Sequence, residues 1–235
     1  MKFEKIKAPT VREQFVRELE NKILSGEFKP GDKLPPAKEL GELMGVSLTV
    51  VNAGISELAN NGFIDTVPRR GTYIADYKHN GNTGTLNAIM RYNGGRLSGP
   101  EIRSLCETRI ALDGLVARSV VKQASDEDIS SLKDSLRAME EAASGSLDQF
   151  CALATGFYRQ LAVISGNVFL ALLYNSTFEC QKGIYDLFCQ ENGSTIVMQS
   201  ARSVYEALAA RDEKLAQQRL FEAVNAAIEG PTAII

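Results

Sequence analysis

Apolar residues recur along this chain with the period of a helix, interrupted once by a short stretch that reads as strands. Phe15, Leu19, Ile23 and Leu24 form one stripe, opened by Thr10 and Glu13 at capping-box spacing. Leu40, Leu43 and Met44 form a second. Pro35-Pro36 open it, because a first turn needs no amide from them, and Gly45 suits the left-handed stop at its end. Ser47 caps a third stripe, Val51, Ile55 and Leu58, which Asn61-Gly62 ends. Phe63 to Val67 and Thr72 to Ala75 then read as two strands joined by Pro68-Arg69-Arg70-Gly71.

From Ser98 onward the pattern is helical throughout. Ser98, Pro100 and Glu101 open a helix whose stripe is Ile102, Leu105, Arg109, Leu112 and Val116. Ser125 to Asp128 open the next, with acidic residues at its positive end. Further helices are predicted near 146–164, 167–191, 194–210 and 212–229. The predicted fold is mainly α: an N-terminal winged helix-turn-helix with a small β-hairpin wing over residues 1–76, and a C-terminal all-α antiparallel helical bundle over 98–235. Between them, residues 77–97 are rich in Gly, Asn and Thr and read as a linker, with Leu86, Ile89, Met90 and Tyr92 spaced for one short docking helix.

Leu34-Pro35, Glu39-Leu40, Gly45-Val46-Ser47, Thr49, Val51, Glu57-Leu58, Gly62 and Arg69-Arg70-Gly71-Thr72 stand in a telling order and spacing. The N-terminal segment resembles, on these residues, the GntR family of bacterial transcription regulators. The resemblance implies double-stranded DNA as a partner, with contacts from Lys38, Ser47, Thr49, Asn52, Arg69, Arg70 and Gly71. Members usually carry arginines where this chain has Lys38, Leu48 and Asn52. Lysine keeps a point charge for a phosphate but lacks the bidentate fork, and leucine has neither; Asn52 can pair with adenine, and Thr49 can touch a thymine methyl or a phosphate.

The stretches ETRIALDGLVAR, GFYRQLAVISGN and VYEALAARDEKLAQQRLFEAV resemble the helical effector-binding domain of the FadR-type branch of that family. This implies a homodimer on a near-palindromic operator and a small-molecule effector in the bundle. Many members of the branch hold a metal there through an aspartate and three histidines. The matching positions are Ala154, Tyr158, Ala201 and Ala223, so no metal and no cofactor is expected. The metal-free precedent in the branch binds a fatty acyl coenzyme A, and a small organic acid is the alternative. Arg109 lies on the apolar stripe of its helix. It reads equally as an anion clamp for an effector and as the internal partner of Asp113, one turn on. Tyr158, Tyr174, Asn175, Glu179, Tyr185 and Tyr205 are candidates to line the same cavity, each also readable as core packing with a satisfied polar tip.

Charge tempers the DNA reading. The chain carries a net −3, and residues 1–78 hold 12 Lys and Arg against 11 Asp and Glu. Non-specific affinity comes from neutralised phosphates, so a single domain should bind DNA weakly, or well only as a dimer on a favourable site. The sequence therefore supports a cytoplasmic, ligand-responsive homodimeric regulator, a repressor by family habit. Its rival is a degenerate relative that senses ligand or pairs with a partner and binds DNA poorly alone. Enzyme chemistry finds no nucleophile–base pair or phosphate loop, and the single histidine, His79, falls in the linker. Cys106, Cys151, Cys180 and Cys189 have no metal-site spacing, and Ser165-Gly166-Asn167 interrupts the longest apolar run, so no membrane partner is expected.

Overall fold

The computed structural model describes residues 9–93 and 97–235. The chain divides into two compact units, one ending at residue 95 and one beginning at 96. Residues 1–8 and 94–96, which the sequence assigns to the first domain and the linker, lie outside the described residues.

In the N-terminal unit, helix α1 spans Val11–Leu24 and begins at a complete capping box: the Glu13 amide donates to Thr10 Oγ1, and the Thr10 amide to the Glu13 carboxylate. Its buried face is Phe15, Val16, Leu19 and Ile23. Helix α2 covers Ala37–Met44, so Pro35 and Pro36 precede its first turn rather than fill it, and Gly45 ends it at φ +65°. Leu40 is buried while Leu43 stands open to solvent on the other face. Ser47 caps α3, Leu48–Asn60, by accepting from the Val50 amide at 3.3 Å. A Cβ on Gly54 would fall 2.3 Å from the Phe15 ring, so its absence sets how closely α1 and α3 approach.

Strands β1 (Ile64–Val67) and β2 (Gly71–Ile74) pair antiparallel with Ile64 opposite Ile74 and Val67 opposite Gly71. The stretch read as a linker holds two further helices, α4 (Tyr77–Asn80) and α5 (Thr83–Tyr92). Helix α5 turns Thr85, Ala88 and Met90 inward, whereas Leu86 and Tyr92 remain exposed. Asn82 Nδ2 donates to the Asn60 carbonyl, Thr85 Oγ1 to that of Asn61, and Arg91 grips the buried Glu20 carboxylate at 2.9 Å. These bonds tie the segment to α1 and to the end of α3. His79 pairs with Asp76 at the surface, 2.8 Å away.

The C-terminal unit is a bundle of seven helices among the described residues: α6 (Gly99–Gln123), α7 (Asp126–Ala143), α8 (Leu147–Ile164), α9 (Val168–Ser176), α10 (Phe178–Asn192), α11 (Ser194–Ala209) and α12 (Glu213–Asn225). Ser98 with Glu101, and Ser125 with Asp128, cap α6 and α7 as their spacing predicts. The single helix expected over 167–191 is two, broken at Thr177 (φ −104°, ψ 10°). The Thr177 amide makes the last helical bond of α9, to the Leu173 carbonyl, and the Thr177 hydroxyl donates to the same oxygen. Buried positions 170, 174, 181, 185 and 188 keep helical spacing across the break, so the period alone hides it.

Candidate functional site

Each unit carries one candidate site. On the N-terminal unit, the inward face of α3 is Val51, Gly54 and Leu58. Its outward face carries Leu48, Thr49, Asn52 and Ser56, all exposed. Lys38 stands exposed on α2, and Arg69 and Arg70 at the tip of the hairpin. None of these three cations makes an ion pair with another of the described residues. Arg69 holds φ +63°, which turns the hairpin tightly. Two of the expected contact residues have structural duties. Ser47 Oγ is engaged as the helix cap, and Gly71 holds φ +125°, a backbone conformation that strains any other residue, with the Lys33 side chain 2.7 Å from where a Cβ would lie. That neighbour is a residue the sequence reading passed over. Lys33 bridges Tyr73 of β2 and lays its ammonium 5.8 Å from the Tyr73 ring, adding a cation at the base of the wing. Its place beside the hairpin comes from the β-bridge, which no local pattern signals.

In the C-terminal unit, Arg109 of α6 is 8% exposed and lies among aromatic rings. Its guanidinium sits 4.2 Å over the Tyr158 ring of α8, and Tyr158 stacks on Tyr185 of α10 at 5.9 Å. Arg109 Nη1 donates to the Tyr185 hydroxyl at 2.9 Å, and Nε lies 3.3 Å from Asp113 Oδ2. Asp113 in turn accepts from the Tyr174 hydroxyl of α9. The internal partner expected one turn on, Asp113, is thus in place beside Arg109. Nη2 of Arg109 has no hydrogen-bond partner among the described residues.

Burial alone would lower the Arg109 pKa, but Tyr185, Asp113, Tyr174 and Tyr158 together hold it above its ordinary value, so the cation persists. Burial pushes the Asp113 carboxyl up, against the pull of Arg109 and Tyr174. The Tyr158, Tyr174 and Tyr185 hydroxyls are raised chiefly by burial and stay protonated donors.

Arg109, Tyr158 and Tyr185 line a cavity walled by apolar side chains, among them Leu105, Ile184, Phe188, Ile196 and Val224. Its free space is about 30 Å³, room for a water or two but not for an organic molecule. Gln181 and Ser200 add polar atoms to the wall and were not picked out from the sequence. Three sequence candidates fall elsewhere. Asn175 is exposed because Leu170 and Tyr174 take the inward face of α9, which turns the next residue outward. Tyr205 lies beside Arg202, Glu140 and Arg137 in a separate surface groove, because Ala201, Val204 and Leu208 occupy the core face of α11. Glu179 is exposed as well.

The donor set does not fit a metal. Ala154 and Ala201 are buried and offer no ligand atom, Ala223 faces the cavity wall, and Tyr158 is engaged with Arg109 and Tyr185. No cluster of three His, Cys, Asp or Glu able to hold an ion occurs among the described residues. Nor is any described helix long and apolar enough to cross a membrane.

Residues 11–74 match the gntR family of bacterial regulatory proteins, and residues 104–226 match the FCD domain. An uncharacterized helix-turn-helix-type transcriptional regulator of Mycobacterium tuberculosis is 29% identical over 164 residues, which is 70% of this chain and 65% of that protein. The fatty acid metabolism regulator protein of Klebsiella pneumoniae is 29% identical over 164 residues, 69% of this chain and 64% of that protein. In both, the match spans just under two thirds of the relative's length. Among solved structures, that of Lar, which controls expression of the Listeria monocytogenes agr system, superposes with a TM-score of 0.63 at 18% identity. It covers 94% of this chain and 95% of that one, which speaks for the fold.

Proposed function

Since the chain belongs to the GntR family of bacterial regulatory proteins and carries an FCD domain, we propose that it is a cytoplasmic homodimeric repressor whose DNA affinity is set by a small organic anion held at Arg109. The observation that carries this reading is the unpartnered Nη2 of a buried arginine at the wall of an apolar cavity. An anion with an apolar body would supply the missing acceptor and replace Asp113 as counter-ion. The cavity must open to admit it. Of the two effector classes the sequence left open, a small acid asks for far less opening than an acyl coenzyme A from about 30 Å³ of free space. An effector acts on DNA binding only through unequal affinity for two arrangements of the protein, and opening the cavity supplies that inequality.

DNA binding is supported by the exposed outer face of α3 flanked by Lys38, Lys33, Arg69 and Arg70. The degenerate alternative rests on α3 having no Lys or Arg. Fluorescence anisotropy decides between them, with the full chain titrated onto its own upstream DNA and onto random duplex across a salt series. The repressor reading expects selective, salt-steep binding, and equal affinity for both duplexes would leave the alternative standing. Arg70→Ala should weaken every sequence alike and reduce the salt slope by about 1, while Asn52→Ala should relax preference at one position. Equal losses on all sequences for both variants would refute that division of roles.

The homodimer is supported by α9. Val168, Phe169, Leu172 and Leu173 lie on one outward face, Phe169 being 77% exposed. No charged residue occurs between Arg159 and Glu179, so a two-fold contact between copies along this helix would bury no unpaired charge. Phe169→Asp should convert the dimer to a monomer in light scattering while the helical circular dichroism is unchanged. A Phe169→Asp protein that remains dimeric would move the interface elsewhere.

A further inference from the structure

Leu48 opens the recognition helix α3 and is 51% exposed, an apolar side chain on the surface that should meet DNA. Nothing in the fold requires it there: Ser47 supplies the cap, and Val51, Gly54 and Leu58 supply the packing. Its neighbours on the same outward face are Thr49, Asn52 and Ser56. The only charged residue in the helix, Glu57, is turned aside and pairs with Arg12 of α1 at 3.5 Å.

That face has a definite major-groove chemistry. The bidentate grip on guanine O6 and N7, the commonest guanine-specific contact, is made by Arg or Lys, and α3 has neither. Asn52 can hold adenine through N6 and N7. The methyl groups of Leu48 and Thr49 match the one apolar group the major groove offers, the C5-methyl of thymine. We infer that Leu48 is a specificity-determining residue that packs on a thymine methyl, so that the bases under the first turn of α3 are A·T pairs. The inference rests on the DNA-binding reading above. It also assigns the sources of affinity: the wing and Lys38 hold phosphates, while α3 reads sequence through apolar and amide contacts that salt barely affects.

The test is selection from random duplex DNA with the full-length protein, followed by anisotropy on the selected site. Each thymine of the half-site is replaced singly by uracil, which removes only the C5-methyl. At one or two positions uracil should weaken wild-type binding about fourfold, the equivalent of burying one methyl group. That penalty should vanish in Leu48→Ala and persist in Asn52→Ala. A selected site with G·C pairs under α3, or uracil penalties unchanged in Leu48→Ala, would overturn the role of Leu48 and leave DNA binding intact. Selection that enriches no sequence would overturn both. Leu48 is exposed and outside the core, so Leu48→Ala should fold, as unchanged circular dichroism would verify.

Discussion

Asp113→Ala is expected to destabilise the C-terminal unit by about 3–5 kcal/mol, because it leaves the Arg109 charge buried without a counter-ion. The geometry argues for the upper part of that range. The Arg109 guanidinium keeps its proton even when buried, its Nη2 already lacks a partner, and the Tyr174 hydroxyl loses its acceptor in the same step. The cation–π contact with Tyr158 is the same before and after the substitution, so it does not reduce that cost. Removing both charges at once, in Arg109→Met with Asp113→Leu, should come out near neutral, since two desolvation penalties disappear with the pair. Urea unfolding of the three proteins checks this. A single substitution no costlier than the double would show that the pair is not buried as described.

Gly62→Ala is expected to cost the N-terminal unit about 3 kcal/mol, from left-handed backbone strain of roughly 1–2 and overpacking of a similar size. Gly62 sits at φ +74°, and an added Cβ would fall 2.2 Å from the Asn80 carbonyl oxygen. That atom is backbone, so no rotamer change can relieve the clash. The consequence reaches α4 and α5, which pack against the end of α3 at this point. Hydrogen exchange should show α5 amides losing protection before those of α1. Exchange unchanged throughout would mean the two helices are not anchored there.

The parts of this fold that were legible from sequence are those set by local rules. Thr10 with Glu13, Gly45 and Ser47 each satisfy a backbone demand within three or four residues, and the structure uses each for that demand. What was hidden depends on partners far away in sequence. Thr177 breaks a helix without disturbing its hydrophobic period. The helices at 77–80 and 83–92 hold their place through Asn60, Asn61 and Glu20. Lys33 joins the wing through Tyr73, 40 positions on. The cavity shows the same division. Arg109 stood out as a cation on an apolar stripe, and its tie to Asp113 followed from one-turn spacing. Which tyrosines face it depended on the phase of four other helices. Tyr158, Tyr174 and Tyr185 converge, whereas Asn175 is one residue out of phase and Tyr205 points into another groove.

The central claim is that an anion at Arg109 sets DNA affinity, and one measurement bears on it most directly. Anisotropy on the selected operator is recorded with wild type and with the Arg109→Met, Asp113→Leu double variant, each titrated with a panel of two- to six-carbon mono- and dicarboxylates. The account expects at least one carboxylate to change the wild-type Kd by about 5- to 150-fold, the usual range of such coupling. It expects the double variant to bind DNA but to ignore every acid. A shift that survives the double substitution, or no shift with any carboxylate in wild type, would contradict it.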